Sequence, residues 1–207
     1  MTIKSITRLE KRKNLYVAAL DDESELRLTA EQLVLFGIHA GQELSKNEFN
    51  RLRDEIELST TKAQAIRTLG KGNLSSGEMK SRLRSKGASD EALQETVMWL
   101  EDMGLINDSE YAAMIVRHYF GKGYGVARIR DELFRRGIPR DLWDEAMQDN
   151  TIDSTEAALI YLRKKLRGSV DKDECNRAND ALCRRGFSYE DARDALKTYI
   201  QQTENEY

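Results

Sequence analysis

The apolar positions of this 207-residue chain change rhythm after the first few dozen residues. Asn14 to Leu20 (NLYVAAL) and Glu25 to Thr29 (ELRLT) are short strand-like runs on either side of the polar turn Asp21-Asp22-Glu23-Ser24. They predict a β-hairpin, with Thr2 to Leu9 as a third strand. So small a sheet is marginal alone and is expected to dock on the helices behind it. Thr29 or Ala30 then opens a short helix that Gly37 stops.

From Ser45 onward the apolar residues recur at helical spacing. A Ser45-Glu48 capping box precedes Phe49, Leu52 and Ile56, and a fresh helix is expected at Thr60 or Thr61, carrying Ala65, Ile66 and Leu69. Ser75 with Glu78 caps the next helix, where Met79 and Leu83 point inward and Gly87 ends it. Ser89 caps a third, with Leu93, Val97 and Leu100 on its stripe. The pattern restarts at the capping pair Asn107-Asp108, with Tyr111 and Ile115 inward, a turn at Gly121 to Gly125, then Val126, Ile129 and Leu133. After Gly137 and Pro139 come Leu142, Ala146 and Met147. It restarts again where Asp153 caps TEAALIYLRKKL. There Cys175, Ala178 and Leu182 match Val126, Ile129 and Leu133, and Ser188 caps the last helix.

The anchor leucines Leu83, Leu133 and Leu182 and the closing glycines Gly87, Gly137 and Gly186 repeat at spacings of 50 and 49 residues. A period of that length predicts tandem helical units. The expected fold is mainly α, with three-helix repeats stacked into an elongated curved body. The expected divisions are an N-terminal hairpin and helix extension over 1–58 and repeats over 59–107, 108–151 and 152–207.

Composition narrows the function classes. The chain is 40% apolar and 33% charged, and its single proline and few aromatics suit short helices with polar faces. With 33 basic against 36 acidic residues the net charge is −3, so any polyanion-binding surface has to be local. One exists: Arg117 to Arg136 carries six basic residues against Asp131 and Glu132, followed by the acidic run DLWDEAMQD. No apolar stretch reaches the roughly 18 residues of a membrane helix, and the N-terminus lacks the apolar run of a signal peptide, so a cytoplasmic location is expected. Cys175 and Cys183, about 12 Å apart along a helix, read as core thiols.

Catalytic and cofactor signatures are missing from the sequence. His39 and His118 belong to no HExxH or CxxC pattern, and the carboxylates occupy capping and surface positions, so neither an enzyme nor a metal or other cofactor is expected. The Gly-Lys-Gly-Tyr-Gly turn at Gly121 to Gly125 lacks the GxxxxGK[ST] pattern and follows a helix, which leaves a tight turn or a backbone contact to a phosphate. The second helix of each unit is basic at corresponding places: Lys80, Arg82, Arg84 and Lys86; Arg128, Arg130, Arg135 and Arg136; Arg177, Arg184 and Arg185. These side chains either pair with acids along their own helix or form a stripe that follows a phosphate backbone or an acidic groove. Tyr124, in the glycine turn, packs the loop or touches a partner, and Trp99 and Trp143 are packing residues.

The stretch Leu105 to Ile138 resembles the central signature of the RecX family of bacterial recombination regulators. It matches at Asp108, Tyr111 and Ala112, at the turn Lys122-Gly123-Tyr124-Gly125, at Arg128-Ile129-Arg130 with Glu132-Leu133, and at Arg136-Gly137-Ile138. Val126 stands where members often carry proline. The resemblance implies a non-enzymatic modulator, expected to act as a monomer, that lies in the groove of the RecA filament on single-stranded DNA. Such a protein suppresses ATP hydrolysis, strand exchange and co-protease activity. With the basic stripe it points to Lys122, Tyr124, Arg128, Arg130, Arg135 and Arg136, helped by Lys80, Arg82 and Arg84, as the partner-binding set. A direct DNA-binding regulator, using each basic middle helix for recognition, is the competing expectation, and a structural adaptor a third.

Overall fold

The computed structural model describes residues 1–9, 14–70, 72–148 and 154–205. It is mainly helical with one small antiparallel sheet, as the sequence pattern predicts. Two compact units divide it: Met1–Gly72 with Lys80–Asp102, and Asn73–Met79 with Met103–Tyr207.

In the first unit the strands β1 (Ile3–Arg8), β2 (Leu15–Leu20) and β3 (Glu25–Thr29) form a sheet in that order, both pairings antiparallel. Glu23 takes a positive φ of 69°, the left-handed residue that a three-residue hairpin loop requires. The sheet buries Ile3, Ala18, Leu20, Leu26 and Leu28 against Leu52 and Ile56 of α2 (Lys46–Leu69), beneath the short α1 (Ala30–Leu35). The expected Ser45–Glu48 capping box forms, and Thr29, one of the two expected helix openers, makes another with Gln32. The buried Gln32 amide also donates to the Ile56 carbonyl and the Thr60 hydroxyl, each at 3.1 Å, which ties α1 to α2.

The helix start expected at Thr60 or Thr61 does not occur, because α2 runs through without a break. The Thr61 and Thr68 hydroxyls donate back to the carbonyls of Glu57 and Gln64, four residues earlier, at 2.8 and 2.7 Å. Bonding backward, they leave the helical main-chain bonds intact, whereas a cap would bond forward. The helix α4 (Asp90–Asp102) packs on α2 through Leu93, Val97 and Leu100. Its Ser89 caps it as predicted, and the Ser89 N–H donates to Glu57 at 2.7 Å.

The second unit holds the first turn of α3 (Ser76–Arg84), then α5 (Asp108–Gly121), α6 (Val126–Arg135), a short 3-10 turn at Arg140–Leu142, and α7 (Trp143–Gln148). It ends with α8 (Ser154–Leu166), α9 (Lys172–Arg184) and α10 (Tyr189–Asn205). Ile129, Leu133, Leu162, Cys175, Ala178 and Leu182 lie in one buried cluster with Tyr111, Ile115 and Tyr199. The three anchor leucines are fully buried, each stabilising the fold by about 1.5–3 kcal/mol. Asn107 and Ser188 cap α5 and α10 as expected, whereas the Asp153 cap lies outside the described residues.

Two joints of one design hold this unit. In the first, Gly77 in the opening turn of α3 lies so close to Gly137 that a Cβ on Gly77 would sit 2.4 Å from the Gly137 carbonyl oxygen. The Ser75 hydroxyl donates to the Arg136 carbonyl beside it. In the second, Gly125 at the start of α6 lies on Gly186, where a Cβ would come within 2.3 Å of the Gly186 main chain. There the Gly125 and Ala127 N–H groups donate to the carbonyls of Arg185 and Gly186, at 3.0 and 3.1 Å. In each case the start of one basic helix docks on the arginine-glycine close of the next.

Gly125→Ala and Gly121→Ala separate close approach from backbone freedom. Gly125→Ala forces main chain apart and is expected to cost about 1–3 kcal/mol, lowering Tm by roughly 3–10 °C. Gly121 has a helical backbone and open space where its Cβ would lie, so Gly121→Ala should leave Tm unchanged or raise it slightly. Calorimetry of the two variants checks this, and equal effects would remove the joint as the cause.

Candidate partner-binding surface

Helix α6 is sharply two-sided. Ile129 and Leu133 face the core with Glu132, while Ala127, Arg128, Arg130, Asp131, Phe134 and Arg135 face solvent. Gly125 starts the helix with extended backbone at φ −85° and ψ 170° and supplies no side-chain cap.

Glu132, only 2% exposed, is the electrostatic centre of the helix. It accepts two hydrogen bonds from Arg135 Nη2 at 2.6 Å and one from Arg135 Nε at 2.9 Å, and a further one from Arg136 Nε at 2.8 Å. Burial alone would push its carboxyl up. The bonds from Arg135, then Arg136 and the Tyr119 hydroxyl, outweigh burial and hold it below its ordinary value. Burial is in turn the main cause that raises Tyr119, with its bond to Glu132 second. The Arg136 guanidinium continues to the Tyr111 hydroxyl at 2.7 Å and to Glu78 at 3.4 Å, so it braces the first joint from the side-chain direction. Burial, ahead of the Glu78 charge, raises the Tyr111 phenol.

The second joint has the same brace. Arg185 donates to the carbonyls of Gly123 and Lys122, both at 2.7 Å, and its guanidinium lies 3.9 Å from the Tyr124 ring centre and 4.6 Å from that of Tyr161. Tyr124 is half-buried, with Tyr119 on another side at 5.3 Å, which makes it a packing residue of the loop. The glycine turn therefore has no free cradle. The N–H groups of Lys122, Gly123 and Tyr124 bond to carbonyls of α5, and those of Gly125 and Ala127 are spent in the joint. Of the two readings the sequence left open for this turn, its bonded amides fit the tight turn.

The remaining cations fall into two groups. Lys122 and Arg128 are exposed, and their side chains make no hydrogen bond or ion pair with any described residue. Arg130 is exposed and reaches Asp144 at 3.3 Å, a surface pair worth about 0–1 kcal/mol. Beside it, Phe134 is 66% exposed, with the Arg140 guanidinium 6.0 Å from its ring centre. In the other unit, Lys80 is half-buried, Arg82 is exposed, and Arg84 pairs with Asp90 at 2.7 Å. No group of three or more metal-ligating side chains occurs among the described residues.

Sequence reasoning missed the roles of Glu132 and Asp108 and passed over Gly77 and Phe134. Asp108, expected as part of a cap for α5, instead accepts from the Ser76 N–H at 2.8 Å and the Ser76 hydroxyl at 2.5 Å, and so caps α3 from 32 residues away. Gly77 had a legible signal: a glycine inside a helix's first turn costs about 1 kcal/mol against alanine and calls for a reason.

The chain is a helical protein with inward-braced joints and one charged helix face. Residues 107–147, which span α5 to α7, match the family model described as RecX, second three-helix domain. The regulatory protein RecX of Pseudomonas putida is 34% identical over 112 residues, 53% of this chain and 72% of that protein. That of Caldanaerobacter subterraneus subsp. tengcongensis is 27% identical over 194 residues, 92% of this chain and 98% of the relative. The chain belongs to the RecX family of regulatory proteins. The fold agrees: a crystal structure of regulatory protein RecX aligns at TM-score 0.65 and 20% identity, covering 97% of this chain and 98% of that one. The RecX of Lactobacillus salivarius aligns at 0.61 and 24%, covering 72% and 97%.

The depressed Glu132 carboxyl gives a signed pH dependence. A carboxyl lowered in the folded state adds stability above its ordinary value of 4.5 and loses it as pH falls through the lowered value. Glu132→Gln is therefore expected to cost about 1–3 kcal/mol at pH 7. The gap should shrink progressively below about pH 4.5. Urea denaturation of both proteins from pH 7 to pH 3 reads it, and a gap independent of pH would show that the ion cluster adds nothing.

Proposed function

We propose that this chain regulates the RecA recombinase by binding its filament on single-stranded DNA and restraining ATP hydrolysis, strand exchange and co-protease activity. Family membership supports the class of activity. The observation that carries the site is a pair of exposed cations whose side chains make no hydrogen bond or ion pair with any described residue, Lys122 just before α6 and Arg128 in its first turn, on a helix whose buried side is locked in place. A rigid helix that presents unneutralised charge binds without first breaking ion pairs, so its electrostatic attraction is available to a partner.

The candidate set then divides by task. Lys122, Arg128 and Arg130 make the contact to phosphate or to acidic groups of the filament, with the two-thirds exposed Arg135 reaching the same partner by its outer edge. Arg136 and Tyr124 hold the surface in shape from behind. Arg82 is the open cation of the other unit, with Lys80 and Arg84 in support. The protein works as a monomer in the cytoplasm and performs no chemistry of its own.

Direct DNA recognition by α6 is the weaker reading. Two of the amides at the start of that helix, those of Gly125 and Ala127, which recognition helices commonly offer to phosphate, are used in the second joint.

The triple variant Lys122→Ala, Arg128→Ala, Arg130→Ala should keep the wild-type melting temperature. It should need at least about tenfold more protein to inhibit RecA ATPase on single-stranded DNA, a loss of roughly 1.4 kcal/mol or more. Unchanged inhibition by the folded variant would take these residues out of the mechanism. Tight, sequence-selective binding to duplex DNA without RecA would instead support the DNA-recognition reading.

A further inference from the structure

The glycine turn that joins α5 to α6 is gripped by a single residue of the repeat that follows. Arg185 donates from Nε to the Gly123 carbonyl and from Nη2 to the Lys122 carbonyl, both at 2.7 Å, and its own carbonyl accepts the Gly125 N–H at 3.0 Å. One planar fork thus fixes two successive peptide groups, a geometry that a guanidinium offers and an ammonium does not. The fork is itself held, with the ring centres of Tyr124 and Tyr161 at 3.9 and 4.6 Å. Nor can the turn shift toward α8. A Cβ on Gly123 would come within 2.9 Å of Tyr161 Cβ and 3.1 Å of the Ala157 carbonyl oxygen.

Lys122 and Arg128 stand on either side of this grip. Neither side chain makes a hydrogen bond or ion pair with a described residue, so each takes its place from the main chain beneath it. Lys122 closes α5, and one of the two carbonyls that Arg185 holds is its own. Arg128 begins beside Gly186, where an added Cβ would lie 2.5 Å from Arg128 N and 2.8 Å from Arg128 Cβ. The origins of both side chains are therefore set by the pair Arg185-Gly186. Arg185 itself is half-buried, its guanidinium engaged with the turn and the two rings.

We infer that Arg185 is a positioning residue of the contact surface, which acts by fixing where Lys122 and Arg128 start relative to each other. The inference rests on the reading of those two cations as contacts to the filament. Were the turn loose, the pair would have to be ordered when the partner binds, and that ordering costs affinity. The effect belongs to the fork and its two stacked rings more than to the charge, so lysine at this position does not replace arginine. Contact by the second repeat therefore depends on a side chain of the third.

The test is a double-mutant cycle on the full chain, read as the concentration that half-inhibits RecA ATPase on single-stranded DNA, below the melting temperature of every variant. Arg185→Lys keeps the charge and should need at least about fivefold more protein. In a Lys122→Ala, Arg128→Ala background the same change should cost less than about twofold, because no pair is left to position. In the 15N-labelled chain, Arg185→Lys should also speed hydrogen exchange at the Gly123, Tyr124 and Gly125 amides at least about tenfold. Should that variant not fold, Tyr161→Leu keeps the Cβ, removes one of the two stacked rings and should give about a threefold loss, again absent from the double background. Undiminished inhibition by folded Arg185→Lys would reduce the residue to a purely structural one, and an equal loss in both backgrounds would make it act independently of the pair. Either result overturns the inference, as does unchanged exchange at the three amides. Unchanged inhibition by Lys122→Ala, Arg128→Ala alone would overturn the contact reading as well, and it is seen before Arg185 is altered.

Discussion

Main chain meets main chain at Gly77 on Gly137 and at Gly125 on Gly186, at distances that no Cβ would permit, and much of the second unit follows from those two contacts. A close backbone approach aligns one helix start with another helix's end, so donors and acceptors that would otherwise need water or a ligand satisfy each other. The arginine that precedes each closing glycine is carried to the same place. Arg136 and Arg185 therefore turn inward, onto Tyr111 and onto Tyr124 with Tyr161. Backbone amides that resemble an anion site in sequence are used to build the protein.

One buried acid decides which cations of α6 are paired. Glu132 gathers Arg135 and Arg136, and because a buried carboxylate is stable only when well hydrogen-bonded, it holds the inner edge of each guanidinium, while the outer edge of Arg135 stays in solvent. Lys122 and Arg128 lie outside that cluster. Cations close together in sequence thus divide into paired and unpaired ones among the described residues, a distinction that net charge and charge runs do not contain.

Most of what depends on local spacing was legible in the sequence. The hairpin with its third strand, the capping residues Ser45, Ser75, Ser89, Asn107 and Ser188, and the buried faces around Leu83, Leu133 and Leu182 are short-range patterns and appear as read. The uninterrupted α2 was misread because Thr60 and Thr61 resemble a cap, although a threonine hydroxyl serves equally well by bonding backward within a helix. The roles of Asp108, Arg136 and Arg185 were hidden for a different reason. Each is set by a residue between 24 and 63 positions away, and a stripe of arginines looks the same whether its members face solvent or a neighbouring helix.

The joints also impose an order in time. Ser75 waits for a carbonyl 61 residues further along the chain, and the glycine turn waits for an arginine 62 residues beyond Gly123. At a synthesis rate of about 5–20 residues per second, each helix start stays open for roughly 3–12 seconds before its closing partner is made. A nascent chain of this design is completed backward, with every new repeat finishing the one before it.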